Sequence, residues 1–177
     1  IVTLSASTTL TLSNDYSGNK IVSTHDEVAT GATLVNHGII SGVGTIGDTT
    51  GGIGGINLTL DNFGTIFATA SATNELILDT GTNAITNEAL GVLEAKSGAT
   101  LEIVSNVTNT GATIKADDGG TVELINDTIT GGIIALNSAG AATQLQIEGA
   151  VTIAVGTTLT LTDFDQNAIV STHDEVA

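Results

Sequence analysis

The chain has 177 residues and a formal net charge of −16, from 19 Asp and Glu against three cations, Lys20, Lys96 and Lys115. It contains no Pro, Cys, Met or Trp, but 22 Gly, and its residues are 41% hydrophobic yet only 2% aromatic. Three lysines cannot neutralise a row of phosphates, so nucleic acid and acidic membrane surfaces are excluded as partners; the lack of Cys removes disulfides, thiol nucleophiles and thiolate zinc sites; and no run of 18 apolar residues exists to cross a bilayer.

The first element of the chain is also its last. Val2–Ala29 reads VTLSASTTLTLSNDYSGNKIVSTHDEVA, and Val151–Ala177 reads VTIAVGTTLTLTDFDQNAIVSTHDEVA. The nine residues Ile21–Ala29 recur unchanged at Ile169–Ala177, and Thr8–Leu12 recur at Thr157–Leu161. Chance does not supply a nine-residue identity with a matching flank. We therefore expect 1–177 to be a single continuous repeat fold, a window of a tandem array with a repeat of about 148 residues in which 2–29 matches 151–177. Ile1 does not open a signal peptide, so a mature product or an internal piece is expected.

A shorter period lies inside the long one. Apolar-x-apolar pairs recur at Leu10/Leu12, Leu34, Leu58/Leu60, Leu76/Leu78, Leu101/Ile103, Val122/Leu124, Leu145/Ile147 and Leu159/Leu161. The steps are 24, 24, 18, 25, 21, 23 and 14 residues, with a mean near 21. Polar residues sit between them, as at Thr9/Thr11, Thr100/Glu102 and Thr121/Glu123, which is the period of a strand with one buried face. A second strand type precedes many of these by roughly ten residues: Gly64–Ala68, Ala89–Ala95, Gly111–Ala116 and Gly132–Ala135. Corners are marked by Asn14, Asn36, Asp61/Asn62, Asp79, Asn106, Asn126/Asp127 and Asp163, residue types that bond their own backbone and tolerate left-handed angles. The Gly-rich stretch Gly42–Gly55 reads as an irregular loop. No helical period persists, and the Gly and β-branched content opposes helices.

Short strands, tight corners and a coil of about 21 residues predict an all-β chain, a parallel β-solenoid (β-helix) of about eight coils. No single coil can bury its apolar residues, and parallel stacking aligns them into a shared interior. The alternative all-β fold is a β-sandwich, which does not repeat every coil.

The units TLEIVSNVTNTGATIKADDGGTVELIND (Thr100–Asp127) and DNFGTIFATASATNELILD (Asp61–Asp79) resemble the repeats of very large secreted bacterial surface proteins. These are adhesin-like chains similar to filamentous-haemagglutinin and autotransporter passenger regions. The resemblance implies a right-handed parallel β-helix and an extracellular, cell-surface role. It carries no catalytic residues onto this sequence.

A carbohydrate-active β-helix enzyme is the competing class. Lyases of this type use Arg or Lys to stabilise developing charge, and this chain has no Arg and scattered Lys. Hydrolases need paired carboxylates, and Asp117–Asp118 and Asp163/Asp165 are the only close Asp pairs. Asp117-Asp118-Gly119-Gly120 is turn chemistry. Ser23-Thr24-His25-Asp26-Glu27 has the composition of a triad, but sequence neighbours do not converge as one, and the string recurs at Ser171–Glu175 as a repeat element. No catalytic or cofactor-binding residue is therefore expected.

Calcium is the ion to consider. Asp163 and Asp165 place oxygen ligands on one turn, and Asn14 and Asp15 do so on the matching turn of the other copy. The run Gly51–Ile56 opens like a calcium-binding repeat but lacks its Asp. The Thr ladders are interrupted by Glu75, Glu102 and Glu123, which spoils a flat ice-matching array. The expected function is a non-enzymatic structural repeat of a long extracellular stalk or filament, of adhesin or biofilm type. Its expected partners are neighbouring copies end to end, with surface glycans or matrix in the alternative reading as a glycan- or ion-binding adhesin module.

Overall fold

In a computed structural model the described residues are 1–13, 18–23, 31–47, 58–71, 73–162 and 165–171, and they contain strands and turns but no helix. The chain winds through three strands at a time. The first winding holds β1 (Val2–Leu4), β2 (Thr9–Leu12) and β3 (Lys20–Ile21). The second holds β4 (Thr33–Asn36), β5 (Ile39–Gly42) and β6 (Gly44–Gly47); the third holds β7 (Thr59–Asn62), β8 (Thr65–Ala68) and β9 (Leu76–Asp79). Next come β10 (Ile85–Asn87), β11 (Val92–Ala95) and β12 (Thr100–Ile103), then β13 (Val107–Thr108), β14 (Thr113–Ala116) and β15 (Thr121–Ile125). The sixth winding holds β16 (Thr128–Thr130), β17 (Gly132–Leu136) and β18 (Thr143–Glu148), and the seventh β19 (Thr152–Ile153), β20 (Thr157–Leu161) and β21 (Asn167–Ser171).

Each strand pairs only with its counterparts one winding away. The result is three seven-stranded parallel sheets: β1-β4-β7-β10-β13-β16-β19, β2-β5-β8-β11-β14-β17-β20 and β3-β6-β9-β12-β15-β18-β21. This is the β-solenoid expected from the sequence, with seven windings where about eight were expected, and it excludes the two facing antiparallel sheets of a sandwich. Six steps of about 4.8 Å make a stack about 29 Å tall.

Alternation within each strand decides what faces inward. On β12 the order is half-buried Thr100, buried Leu101, half-buried Glu102, buried Ile103. In-register pairing then piles like on like: Ile40, Ile66, Leu93, Ile114 and Ile134 form one column of the second sheet. All five have zero relative exposure. Burying each such side chain is worth about 1.5–3 kcal/mol. The narrow interior leaves no room for large rings, which accounts for the shortage of aromatics.

The regular windings are short and the early ones long. Leu93 to Ile114 takes 21 residues and Ile114 to Ile134 takes 20, whereas Leu10 to Ile40 takes 30 and Ile46 to Leu78 takes 32. The two long steps include residues 24–30 and 48–57, which lie outside the described residues.

Two expectations change. The apolar pairs expected to form one column are spread over all three sheets: Leu10/Leu12 and Leu159/Leu161 lie on the second, Leu34 and Leu58/Leu60 on or beside the first, and only Leu76/Leu78 to Leu145/Ile147 share the third. The 18- and 14-residue steps are moves between faces, because all three faces carry the same apolar-x-apolar pattern. Within the expected Gly42–Gly55 loop, Gly42 closes β5, Val43 bends the chain and Gly44–Gly47 form β6. Gly42 holds φ 125° there, and a Cβ on it would stand 1.8 Å from the Leu12 carbonyl oxygen, so only glycine lets these windings approach.

Candidate functional site

Stacking in register brings polar residues into columns as well. At the inner corner between the first and second sheets, β4, β7 and β10 each end in Asn, and β13 is followed by Asn109. The four residues Asn36, Asn62, Asn87 and Asn109 are all buried. Each amide donates upward to the next: Asn36 Nδ2 to Asn62 Oδ1 at 2.7 Å, Asn62 to Asn87 at 2.8 Å, Asn87 to Asn109 at 2.7 Å. The second amide proton reaches backbone carbonyls, such as Asn87 Nδ2 to Gly91 O at 3.3 Å. An amide is both donor and acceptor, so the column satisfies itself. Asn36 and Asn62 stand at corners legible in the sequence; Asn87 and Asn109 were missed, and the signal that finds them is an Asn two to four positions before the glycine that leads into each second-sheet strand, Gly91 and Gly111.

The outer face of the third sheet carries carboxylates instead. Glu102 pairs in register with Glu123. Glu75 precedes Leu76, which pairs with Leu101. Carboxylate oxygens of Glu75, Glu102 and Glu123 all lie within 4.8 Å of one another. Burial pushes the Glu102 carboxyl up to about 8, helped by its hydrogen bond with Glu75 and by the charges of Glu75, Glu123 and Glu148. Protonation of Glu102 relieves the crowding of like charges.

On the second sheet the same stacking gives alternating charge. Glu94 is buried, and it pairs with both Lys96 and Lys115 at 2.5 Å. Asp117 completes the square, 3.2 Å from Lys96 and 3.1 Å from Lys115. Burial alone raises the Asp117 carboxyl, but its contacts with Glu94, Lys115 and Lys96 outweigh this and hold it at about 2. Burial lowers the Lys96 ammonium, and Glu94 and Asp117 more than reverse that. Lys96 also lies 5.5 Å over the Phe67 ring.

The Asp117–Asp118 pair therefore has structural work. Asp118 Oδ1 accepts from the backbone N–H groups of Ala139, Gly140 and Ala141 at 2.7, 2.8 and 2.7 Å, and these amides hold its carboxyl below the ordinary range. Asp127 differs. It is buried, and among the described residues its two carboxylate oxygens are the buried side-chain atoms without a partner. Burial pushes it up to about 7, against the pull of its own backbone N–H.

Of the calcium candidates, Asp165 is exposed in the turn before β21, while Asp163, Asn14 and Asp15 lie outside the described residues. His25, Asp26 and Glu27 also lie outside them. Ser23 is buried, and its Oγ accepts the Ala32 N–H at 2.8 Å, so it closes a corner. No helix is long and apolar enough to cross a membrane among the described residues. Comparison with known families, curated proteins and solved structures returns no match.

Proposed function

We propose that the chain is a non-enzymatic structural repeat of a long extracellular stalk or filament at a bacterial cell surface, of the adhesin or biofilm type. The observation that carries this reading is how the polar side chains are used. The Asn column is satisfied internally, and Glu94, Asp117 and Asp118 are all engaged by lysines or backbone amides. The fold then acts mechanically. Three backbone ladders and an aliphatic interior resist bending, and the net charge of −16 keeps the flanks apart and solvated.

The test is a binding screen of the recombinant chain on glycan arrays and matrix proteins, beside small-angle scattering. A stiff rod without specific binding supports the spacer. Saturable binding to one glycan overturns it in favour of an adhesin module. The Glu75–Glu102–Glu123 cluster gives an ion-binding module a specific footing. That second reading requires millimolar calcium to raise the melting temperature, and Glu102→Gln to abolish the rise.

A further inference from the structure

The repeated sequence occupies the same place in the fold at both ends. Val2–Leu4 and Val151–Ile153 both lead into or form first-sheet strands, Thr8–Leu12 and Thr157–Leu161 second-sheet strands, and the Ile21 and Ile169 segments third-sheet strands. The two copies even share corner hydrogen bonds. Asn19 Nδ2 donates to Ser13 O at 2.8 Å, and the matching Asn167 Nδ2 donates to Thr162 O at 3.0 Å. Thr8 N donates to Ser5 O at 2.9 Å, and the matching Thr157 N to Ala154 O at 3.2 Å. The first and seventh windings are thus one building block, six places apart in every sheet.

They differ in strand length, β3 having two residues and β21 five, and in which side is covered. The first winding has a roof, because β4, β5 and β6 pair with β1, β2 and β3. The seventh has a floor, because it pairs with β16, β17 and β18. Leu12, under its roof, is 7% exposed, whereas the matching Leu161 is 42% exposed and its neighbours Leu159 and Ile169 are 36% and 46% exposed. The structure therefore shows one kind of winding covered from above in the first place and seated on its neighbour, uncovered above, in the second.

We propose that the uncovered edges of the last winding's strands, Thr152–Ile153, Thr157–Leu161 and Asn167–Ser171, form an interaction surface whose partner is a winding of the sequence 31–47 from a further copy of this repeat. Copies then join through one shared winding, with a period of six windings and no change of phase. Leu159, seated on Ile134, takes the counterpart of Ile40 above it; Ile169, seated on Leu145, takes the counterpart of Ile46. The outward residues that meet are uncharged: Thr158 and Thr160 lie under the counterparts of Ile39 and Ser41, and Ala168 lies under that of Thr45. The proposal rests on the structural-repeat reading but is narrower, since a spacer with hinged units would satisfy that reading alone.

The experiment compares the 177-residue chain with a longer chain in which residue 177 is followed by a second copy of residues 30–177. The longer chain is expected to scatter as one straight rod, lengthened by about 29 Å. It is expected to unfold in one transition at a higher temperature. Leu161→Asp is expected to lower the melting temperature of the longer chain at least three times as far as that of the shorter one. Val155→Asp, at a position 95% exposed, is expected to shift neither. Two hinged bodies in solution, or equal effects of Leu161→Asp in both chains, overturn the shared winding while leaving the spacer reading intact. Ile169→Asp supplies the same contrast if the first variant fails to express.

Discussion

The Asn column and the Glu cluster are built by the same geometry and have opposite energetics. Parallel in-register stacking sets one side chain about 4.8 Å above its counterpart in the next winding, whatever that side chain is. For Asn36–Asn62–Asn87–Asn109 each amide meets the complementary edge of the next, inside a buried corner. For Glu102 and Glu123, acceptor meets acceptor and charge meets like charge. The second sheet shows a third outcome, where Glu94 over Lys115 and Lys96 over Asp117 alternate in sign. A solenoid amplifies the self-complementarity of its residues, favourable or not. The interior column is accordingly the place where one atom change matters most.

The largest effect is expected from Asn87→Asp. The new carboxylate keeps the donor from Asn62 but turns acceptors toward Asn109 Oδ1 and the carbonyls of Gly91 and Thr113. An unpaired buried charge costs about 4 kcal/mol or more. Urea denaturation at pH 7 should show the loss, or the chain should fail to fold. Asn87→Ala, which removes the amide without adding charge, should cost less, about 2–3 kcal/mol. Equal effects from the two variants would mean that the column contributes packing and not hydrogen-bond complementarity.

These two ladders also mark what the sequence discloses. Period-2 alternation, the Gly-x-Ile strands of the second sheet and the return of Val2–Ala29 at Val151–Ala177 were enough for the solenoid. The register was not legible across faces. Leu34 and Leu76 look alike in sequence, and only hydrogen-bond pairing shows that one belongs to the first sheet and the other to the third. The Asn column was half legible for the same reason: Asn106 and Asn109 are both corner residues of one winding, and the fold buries only Asn109. Glu75, Glu102 and Glu123 stood out only as interruptions of Thr, because their convergence depends on the register between windings. Lys96 and Lys115 looked scattered until a 21-residue step placed Lys96 over Asp117 and Glu94 beside Lys115.

The Glu cluster should make stability depend on pH in an unusual direction. Glu102 has a folded value raised from 4.5 to about 8, so the folded state takes up its proton before the unfolded state does. Stability therefore rises as pH falls from about 8 to about 4.5, and levels off below. Asp127, raised from 3.8 to about 7, acts in the same sense over its own range. Thermal melts from pH 8.5 to pH 5 should show the melting temperature climbing. Glu102→Gln should raise the pH 8 value by about 4 °C and leave the pH 5 value almost unchanged. Asp127→Asn should do the same by a smaller margin. A flat profile in the parent chain would show that the carboxylates spread apart in solution and that Glu102 ionises as an ordinary carboxyl does.

The smallest effect is expected on the second sheet, where charges already alternate. Lys96 has 42% of its side chain exposed, so Lys96→Met should cost about 1 kcal/mol or less, and the cost should shrink in 1 M salt. Lys115 still pairs with Glu94 and Asp117 in that variant, which limits the loss. The acid side separates this square from the Glu cluster. Asp117 is held at about 2, below its ordinary 3.8, so its contribution is complete above pH 3.8 and disappears as pH falls toward 2. Acidification through that window should destabilise the parent chain while the Glu cluster no longer responds. In Lys96→Met the drop below pH 4 should be shallower, because one of the cations that lowers Asp117 is gone. An identical acid limb in the two chains would assign the low-pH loss to other carboxylates, with Asp118 and its three backbone donors first among them.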